Sequence, residues 1–144
     1  MNTEHFKKHS NEIEAGLAEE DVMYKENILD HYKHPHNKGK IKHNSSFREI
    51  NPVCGDELTV FLDIKDGKVA NVSFEGQGCA ISQAGISILT DEIKGKDIKE
   101  VKKMKSEDIY KLLGIPISVN RIKCALLSLK TITGAIRNHE IGNN

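Results

Sequence analysis

The chain has 144 residues, and its 21 Lys and Arg residues are balanced by 21 Asp and Glu residues. This length suits one domain, and a neutral, mixed charge predicts neither a nucleic acid nor an anionic membrane surface as partner. No apolar run approaches the length of a membrane span, and the first residues lack the apolar core of a signal peptide. We therefore predict a soluble cytoplasmic protein whose three cysteines are free thiols or metal ligands.

The first 20 residues are polar and mostly charged, which predicts a loosely held extension or a marginal helix before a single domain at 21–144. The first helix of that domain is predicted to begin at Asp21, as its N-cap, and to end before Pro35.

The middle of the chain predicts a small antiparallel sheet of about three strands. Residues 47–50 form a short strand candidate, and residues 56–65 alternate between apolar and polar side chains. Asp66-Gly67 is a dipeptide favoured in tight hairpin turns, and Ala70, Val72 and Phe74 then resume the alternation on a returning strand.

The second half of the chain is predicted to be helical. Apolar residues recur at helical spacing over 80–93, 106–113 and a last helix that Ser118 caps and whose apolar stripe starts at Val119. Strands followed by a run of helices predict an α+β fold in which the helices pack on one face of the sheet.

The stretch "EGQGCAIS" at 75–82 raises the question of a phosphate-binding loop. The stretch does not match the dinucleotide fingerprint G-x-G-x-x-G, because Ile81 occupies the position of the third glycine. Gly76 and Gly78 are better explained as permitting an unusual backbone path. Cys79 then falls at the first turn of a helix, where the unpaired N–H groups and the helix dipole favour a thiolate. The alternative is that Cys79 is a small apolar residue between helix and sheet.

In "NPVCGDE", Cys54 and Asp56 are two residues apart at the start of a strand, so both side chains point to the same face. A carboxylate on an apolar face is costly unless a cation or hydrogen-bond donors meet it. The alternative is that Asp56 accepts hydrogen bonds from backbone N–H groups in a turn after Gly55.

Cys124 lies on the last helix and, measured from Val119, falls off the apolar stripe. Three thiols and one carboxylate could hold zinc or one end of an iron–sulfur cluster. The intervals of 25 and 45 residues between the cysteines are unlike a C-x-x-C zinc knuckle, so three separate elements would have to converge.

Four histidines, His31, His34, His36 and His43, lie around a helix end and a polar loop. They are either metal ligands or residues that hydrogen-bond to carbonyl groups there.

Four stretches carry a resemblance to a known family: "YKENILDHYKHPHNKG", "NPVCGD", "GQGCAISQA" and "RIKCALLSLKTI". They resemble the N-terminal signature and the three cysteine motifs of the NifU/IscU/SufU iron–sulfur cluster assembly proteins, over residues 21–139. The resemblance implies the fold of the IscU/NifU N-terminal domain. It also implies that Cys54, Asp56, Cys79 and Cys124 bind a transient [2Fe-2S] cluster, or Zn²⁺ or Fe²⁺ at the same site.

The resemblance further implies a cysteine desulfurase as partner, which delivers sulfur as a persulfide to Cys124 or Cys54, and apo-proteins as recipients of the cluster. Arg121 matches a residue associated with docking the desulfurase, and Tyr24 one associated with handling the persulfide or pairing protomers. The protein would act as a monomer or as a homodimer bridged by the cluster.

The chain mixes features of two branches of the family. "GCAIS" and the Arg-x-Lys-Cys of 121–124 resemble the SufU branch, in which the site commonly holds zinc. The extra helical segment of the SufU branch has little room between the second and third cysteines. Two features of the IscU branch are also missing: its Leu-Pro-Pro-Val-Lys chaperone motif, and the histidine before its third cysteine, where this chain has Lys123.

We predict a non-enzymatic scaffold for iron–sulfur cluster assembly. The alternatives are a zinc-dependent sulfurtransferase of SufU type, a hydrolase with a cysteine nucleophile and a histidine base, and a structural zinc module.

Overall fold

The computed structural model describes the backbone of residues 19–52 and 55–142 and, apart from positions 19–24 and 120, their side chains. The elements in chain order are α1 (Glu19–Lys33), β1 (Ser45–Ile50), β2 (Glu57–Lys65), β3 (Lys68–Gln77), α2 (Ala80–Ile93), α3 (Ile98–Lys102), α4 (Ser106–Leu113), a 3₁₀ turn (Val119–Arg121) and α5 (Ile122–Gly142). This is the α+β architecture that the sequence predicts. None of the described helices is long and apolar enough to cross a membrane.

The sheet has the order β1-β2-β3, with antiparallel pairing on both sides of β2. Asp66 and Gly67 have φ values of 53° and 72°, as a type I′ turn requires, so the predicted hairpin is confirmed. The alternation predicted for β2 is also confirmed, because its even-numbered residues from 58 to 64 are all buried.

The pairing of β2 with β3 contains a bulge that the sequence prediction missed. Asp63 pairs with Asn71 and Ile64 pairs with Val69, which leaves Ala70 as an extra residue. The inward orientation predicted for Ala70 is therefore wrong: Ala70 is exposed and Val69 is buried. An extra residue in one strand shifts which side chains face the core.

Helices α2 and α5 cover the apolar side of the sheet, and α1 packs on α2. Helix α5 lies so close to β1 that a Cβ atom at Gly134 would overlap the ring of Phe47. The largest fully buried side chains come from β2, β3, these two helices and α4: Leu58, Leu62, Phe74, Ile86, Leu89, Ile93, Ile109, Leu113, Ile132 and Ile136.

The structure differs from the sequence predictions at three places in the helices. Helix α1 already includes Glu19, so Asp21 lies inside it and is not its N-cap. Helix α3 was not predicted; the carboxylate of Asp97 caps it by accepting the N–H of Lys99 at 2.8 Å. Ser118 precedes the 3₁₀ turn and makes no side-chain cap, and α5 begins only at Ile122.

Candidate metal centre

Cys79 is the N-cap residue of α2, with extended backbone angles of −73° and 166°. The residue is half-buried, and its Sγ lies 3.9 Å from the hydroxyl of Ser82, which itself donates to the carbonyl of Cys79 at 3.1 Å. The N-terminus of α2 thus carries a cysteine that is not fully buried.

Asp56 stands directly before β2 and is only 5% exposed. Its Oδ2 atom is buried and has no hydrogen-bond partner among the residues that the structure describes. A buried carboxylate oxygen without a donor is unfavourable by itself. A buried oxygen of this kind is expected at a site that binds a cation.

Two glycines after β3 allow this arrangement. Gly76 has a φ of 152°, which side-chain-bearing residues rarely adopt. At Gly78 a Cβ atom would lie 2.6 Å from Cγ of Asp56 and 2.7 Å from Oγ of Ser82. The missing side chain at Gly78 lets the backbone before Cys79 approach the carboxylate of Asp56.

Cys124 lies in the first turn of α5 and is 2% exposed. The expectation that it lies off the apolar stripe is wrong. Val119, from which that stripe was measured, belongs to the 3₁₀ turn and is 85% exposed, so it does not set the phase of α5.

Asp56, Cys79 and Cys124 converge on one point. A carboxylate oxygen and the two Sγ atoms all lie within 4.8 Å of one another, and neither cysteine is in a disulfide. Thiolates bind zinc at about 2.3 Å, so two of them on one tetrahedral ion are roughly 3.8 Å apart. Small side-chain movements would bring the three atoms onto one metal, and this donor set fits zinc, ferrous iron or the edge of a cluster.

The remaining predicted site residues stand as follows. Cys54 lies outside the described residues, two positions before Asp56 in the chain. Arg121 ends the 3₁₀ turn, half-buried and three residues before Cys124. Tyr24 lies on α1, but its side chain is outside the described part of the structure.

The four candidate histidines lie in three different settings, and His34 is exposed and belongs to no metal-binding group among the described residues. His31 and His36 lie together with Asp91, whereas His43 hydrogen-bonds to the carbonyl of Ile41 at 2.8 Å and packs on an aromatic ring. Asp91 was not predicted as a site residue, because it lies 55 positions from His36 and no local motif marks it.

A three-stranded antiparallel sheet covered by helices, with cysteine and aspartate side chains gathered at the ends of separate elements, defines a small α+β domain with a candidate metal centre. Residues 23–144 match the family described as NifU-like N terminal domain. The chain belongs to this family.

Similar proteins are named either as zinc-dependent sulfurtransferases or as iron–sulfur cluster assembly scaffolds. The chain is 35% identical to the zinc-dependent sulfurtransferase SufU of Bacillus subtilis, over 85% of this chain and 95% of that protein. It is 32% identical to the iron–sulfur cluster assembly scaffold protein IscU of Thermotoga maritima, over 81% and 94%. A crystal structure of a NifU-like N-terminal protein from Brucella abortus shares the fold, with a TM-score of 0.69 at 21% identity over 85% of this chain and 96% of that chain.

Proposed function

We propose that this protein is a scaffold for iron–sulfur cluster assembly. It accepts sulfur from a cysteine desulfurase, gathers iron and sulfide on Cys54, Asp56, Cys79 and Cys124, and passes a [2Fe-2S] cluster to apo-proteins in the cytoplasm. The observation that carries the proposal is the convergence of Asp56, Cys79 and Cys124, together with a buried Asp56 oxygen that has no donor in the described part of the chain.

The two kinds of ligand have different roles: the thiolates hold the cluster, and the carboxylate of Asp56 allows its release. Thiolates are soft donors that suit iron–sulfur clusters, whereas a carboxylate is a harder and weaker partner for them. Asp56 therefore keeps the cluster exchangeable, which a protein that must hand on its cargo requires. The cluster is bound by one protomer or shared between two.

Sulfur arrives by exchange between sulfur atoms. A thiolate of Cys124 or Cys54 attacks the terminal sulfur of the desulfurase persulfide; a new S–S bond forms as the old one breaks, and the desulfurase cysteine leaves as a thiolate. This transfer involves no net oxidation, and the later conversion of the persulfide sulfur to cluster sulfide takes two electrons per sulfur from an external electron donor such as a second thiol pair. Because Cys124 is buried, this step needs an opening at the 3₁₀ turn, where Arg121 supports docking of the desulfurase. Tyr24 assists persulfide handling or protomer pairing.

The test is the metal content of protein purified without oxygen. We expect iron and acid-labile sulfide in near-equal amounts, with visible absorption that the Cys79→Ser variant loses. Absence of any cluster after supply of iron, cysteine and a desulfurase would overturn the proposal.

A second experiment tests the role of Asp56. The Asp56→Ala variant is expected to release its cluster to an apo-ferredoxin more slowly than the unmodified protein, because it lacks the weak ligand at which exchange begins. Asp63→Ala, which removes a half-buried carboxylate from β2, the strand that follows Asp56, is the matched control. Faster release from Asp56→Ala would contradict the role.

The second candidate function is a zinc-dependent sulfurtransferase. It is favoured by the 35% identity to a protein of that name and by exposed Lys123, which cannot serve as the histidine ligand of the IscU branch. In that case zinc is held by the same residues and one cysteine leaves it to accept sulfur. Zinc alone in the purified protein, with desulfurase turnover stimulated by the chain, would identify this function.

A further inference from the structure

A second group of metal-binding side chains lies away from the cysteines. His31 is near the end of α1, His36 is in the following loop, and Asp91 is near the end of α2. One ligand atom from each lies within 4.8 Å of the other two. Asp91 follows Cys79 by 12 residues on α2, or about 18 Å at the rise of an α-helix, so the two groups occupy opposite ends of the same helix.

Hydrogen bonds hold the three side chains in place. Nδ1 of His31 lies 2.7 Å from the hydroxyl of Ser87, and the same hydroxyl accepts the backbone N–H of His36 at 2.8 Å. Asn37 donates to Oδ1 of Asp91 at 2.8 Å. Ser87 is fully buried. Such outer hydrogen bonds fix the orientation of metal ligands in established sites.

The second oxygen of Asp91 faces His36. Oδ2 lies 2.5 Å from Nδ1 of His36, and the His31 and His36 rings are 4.4 Å apart between centroids. Two imidazoles and a carboxylate on three segments therefore surround one small volume at the surface.

The ionisation of the group suits a cation. Burial lowers the pKa of His31, and the neighbouring His36 lowers it further, more than Asp91 and Asp30 raise it. Burial acts to raise the pKa of Asp91, but hydrogen bonds from His36 and Asn37 and the charges of His36 and His31 outweigh it and lower the pKa. Both shifts favour the deprotonated side chains, which are the forms that bind metals.

We propose that His31, His36 and Asp91 form a second metal site that binds Zn²⁺ independently of the cysteines. Nitrogen and oxygen ligands of this kind suit zinc, and three protein ligands leave a coordination position for water. The bound ion links α1 and the loop after it to α2. This site goes beyond the proposed function, because it neither contains nor requires the residues that hold the cluster.

The test counts zinc ions per full-length chain by competition with a chromophoric chelator. We expect two ions for the unmodified protein and one for His36→Asn. His36 is exposed, so the variant should fold normally. His34→Asn is the matched control, because His34 is an exposed histidine two residues away that is not part of the group. It should retain two ions.

Cobalt distinguishes the two sites by their ligands. Thiolate ligands give Co²⁺ an intense near-ultraviolet charge-transfer band, whereas imidazole and carboxylate ligands do not. Asp91→Asn should keep this band and lose one equivalent of bound Co²⁺. Equal metal counts for His36→Asn, His34→Asn and the unmodified protein would overturn the proposal and leave the His36–Asp91 contact as an ion pair only.

Discussion

At the scale of single residues, Asp56 shows most directly how the site differs from the core around it. Leu58 and Val60 follow it on β2 and are completely buried, yet directly before this strand Asp56 has a buried carboxylate oxygen without a partner among the described residues. In the absence of metal this oxygen opposes folding.

We predict that metal-free Asp56→Ala is more stable than the unmodified protein, by about 1 kcal/mol, because an unsatisfied buried group is removed. The measurement is urea unfolding in the presence of a chelator. Asp63→Ala, which removes a half-buried carboxylate paired with Lys65 at 3.5 Å, should not be stabilised. A lower unfolding midpoint for Asp56→Ala would show that the carboxylate supports the metal-free fold.

Gly78 allows a second prediction at this scale. In Gly78→Ala the new Cβ atom would displace the carboxylate of Asp56 or the hydroxyl of Ser82. We expect zinc affinity at the cysteine site to fall about tenfold, equivalent to about 1.4 kcal/mol, measured by chelator competition. Gly142→Ala meets no atom within 4 Å and should bind zinc normally. Unchanged affinity in Gly78→Ala would mean that Asp56 does not need this space.

At the scale of elements, the contact between α1 and α2 depends on a buried histidine. The folded protein lowers the pKa of His31 below its usual 6.5, chiefly through burial. Below pH 6.5 His31 takes up a proton in the unfolded chain before it does so in the folded protein, so the folded state loses stability as the pH falls. Well above pH 6.5 His31 is neutral in both states and makes no such contribution. The lowered pKa of Asp91 stabilises the fold above pH 3.8 and its contribution is lost only in stronger acid.

We therefore predict that the unfolding midpoint in urea falls between pH 7.5 and pH 5.5, measured with a chelator present, and that His31→Gln reduces this fall. His34→Gln should keep the pH dependence of the unmodified protein. A full fall in His31→Gln would assign the effect to other histidines.

The elements also show what the sequence could predict. The bounds of α2 and α4 and the hairpin at Asp66-Gly67 could be predicted because local signals act alone there: a glycine after a helix, and a turn dipeptide between alternating segments. The orientations of Ala70 and Cys124 could not. A bulge and a 3₁₀ turn each shift the phase of the side chains that follow, and neither leaves a clear mark in the residue types.

At the scale of the whole molecule, the cysteine site exists only when the chain is folded. Asp56, Cys79 and Cys124 come from the start of β2, the N-cap of α2 and the first turn of α5. The sequence supplied the four candidate ligands through its motifs, but their convergence depends on sheet and helix packing that no local pattern encodes. The sequence also offered His31 and His36 as possible metal ligands, but Asp91 and the grouping of the three residues emerged only from the fold.

Such a site predicts strong coupling between metal binding and folding. Zinc at 100 times its dissociation constant should raise the free energy of unfolding by about 2.7 kcal/mol, if the unfolded chain binds weakly. We expect this gain in His36→Asn, where the second site is removed, and expect most of it to be lost when Cys79→Ser is added. Equal gains in both proteins would show that zinc stabilises the fold from elsewhere.

Of the two described cysteines at the site, Cys79 is half-buried and Cys124 is almost completely buried. The site is therefore more accessible from the side of Cys79 than from the side of Cys124. An incoming thiol from a recipient protein reaches Cys79 before Cys124, so of these two ligands Cys79 should be replaced first during cluster transfer. The order between the two cysteines would then be set by depth in the fold, since their ligand chemistry is the same.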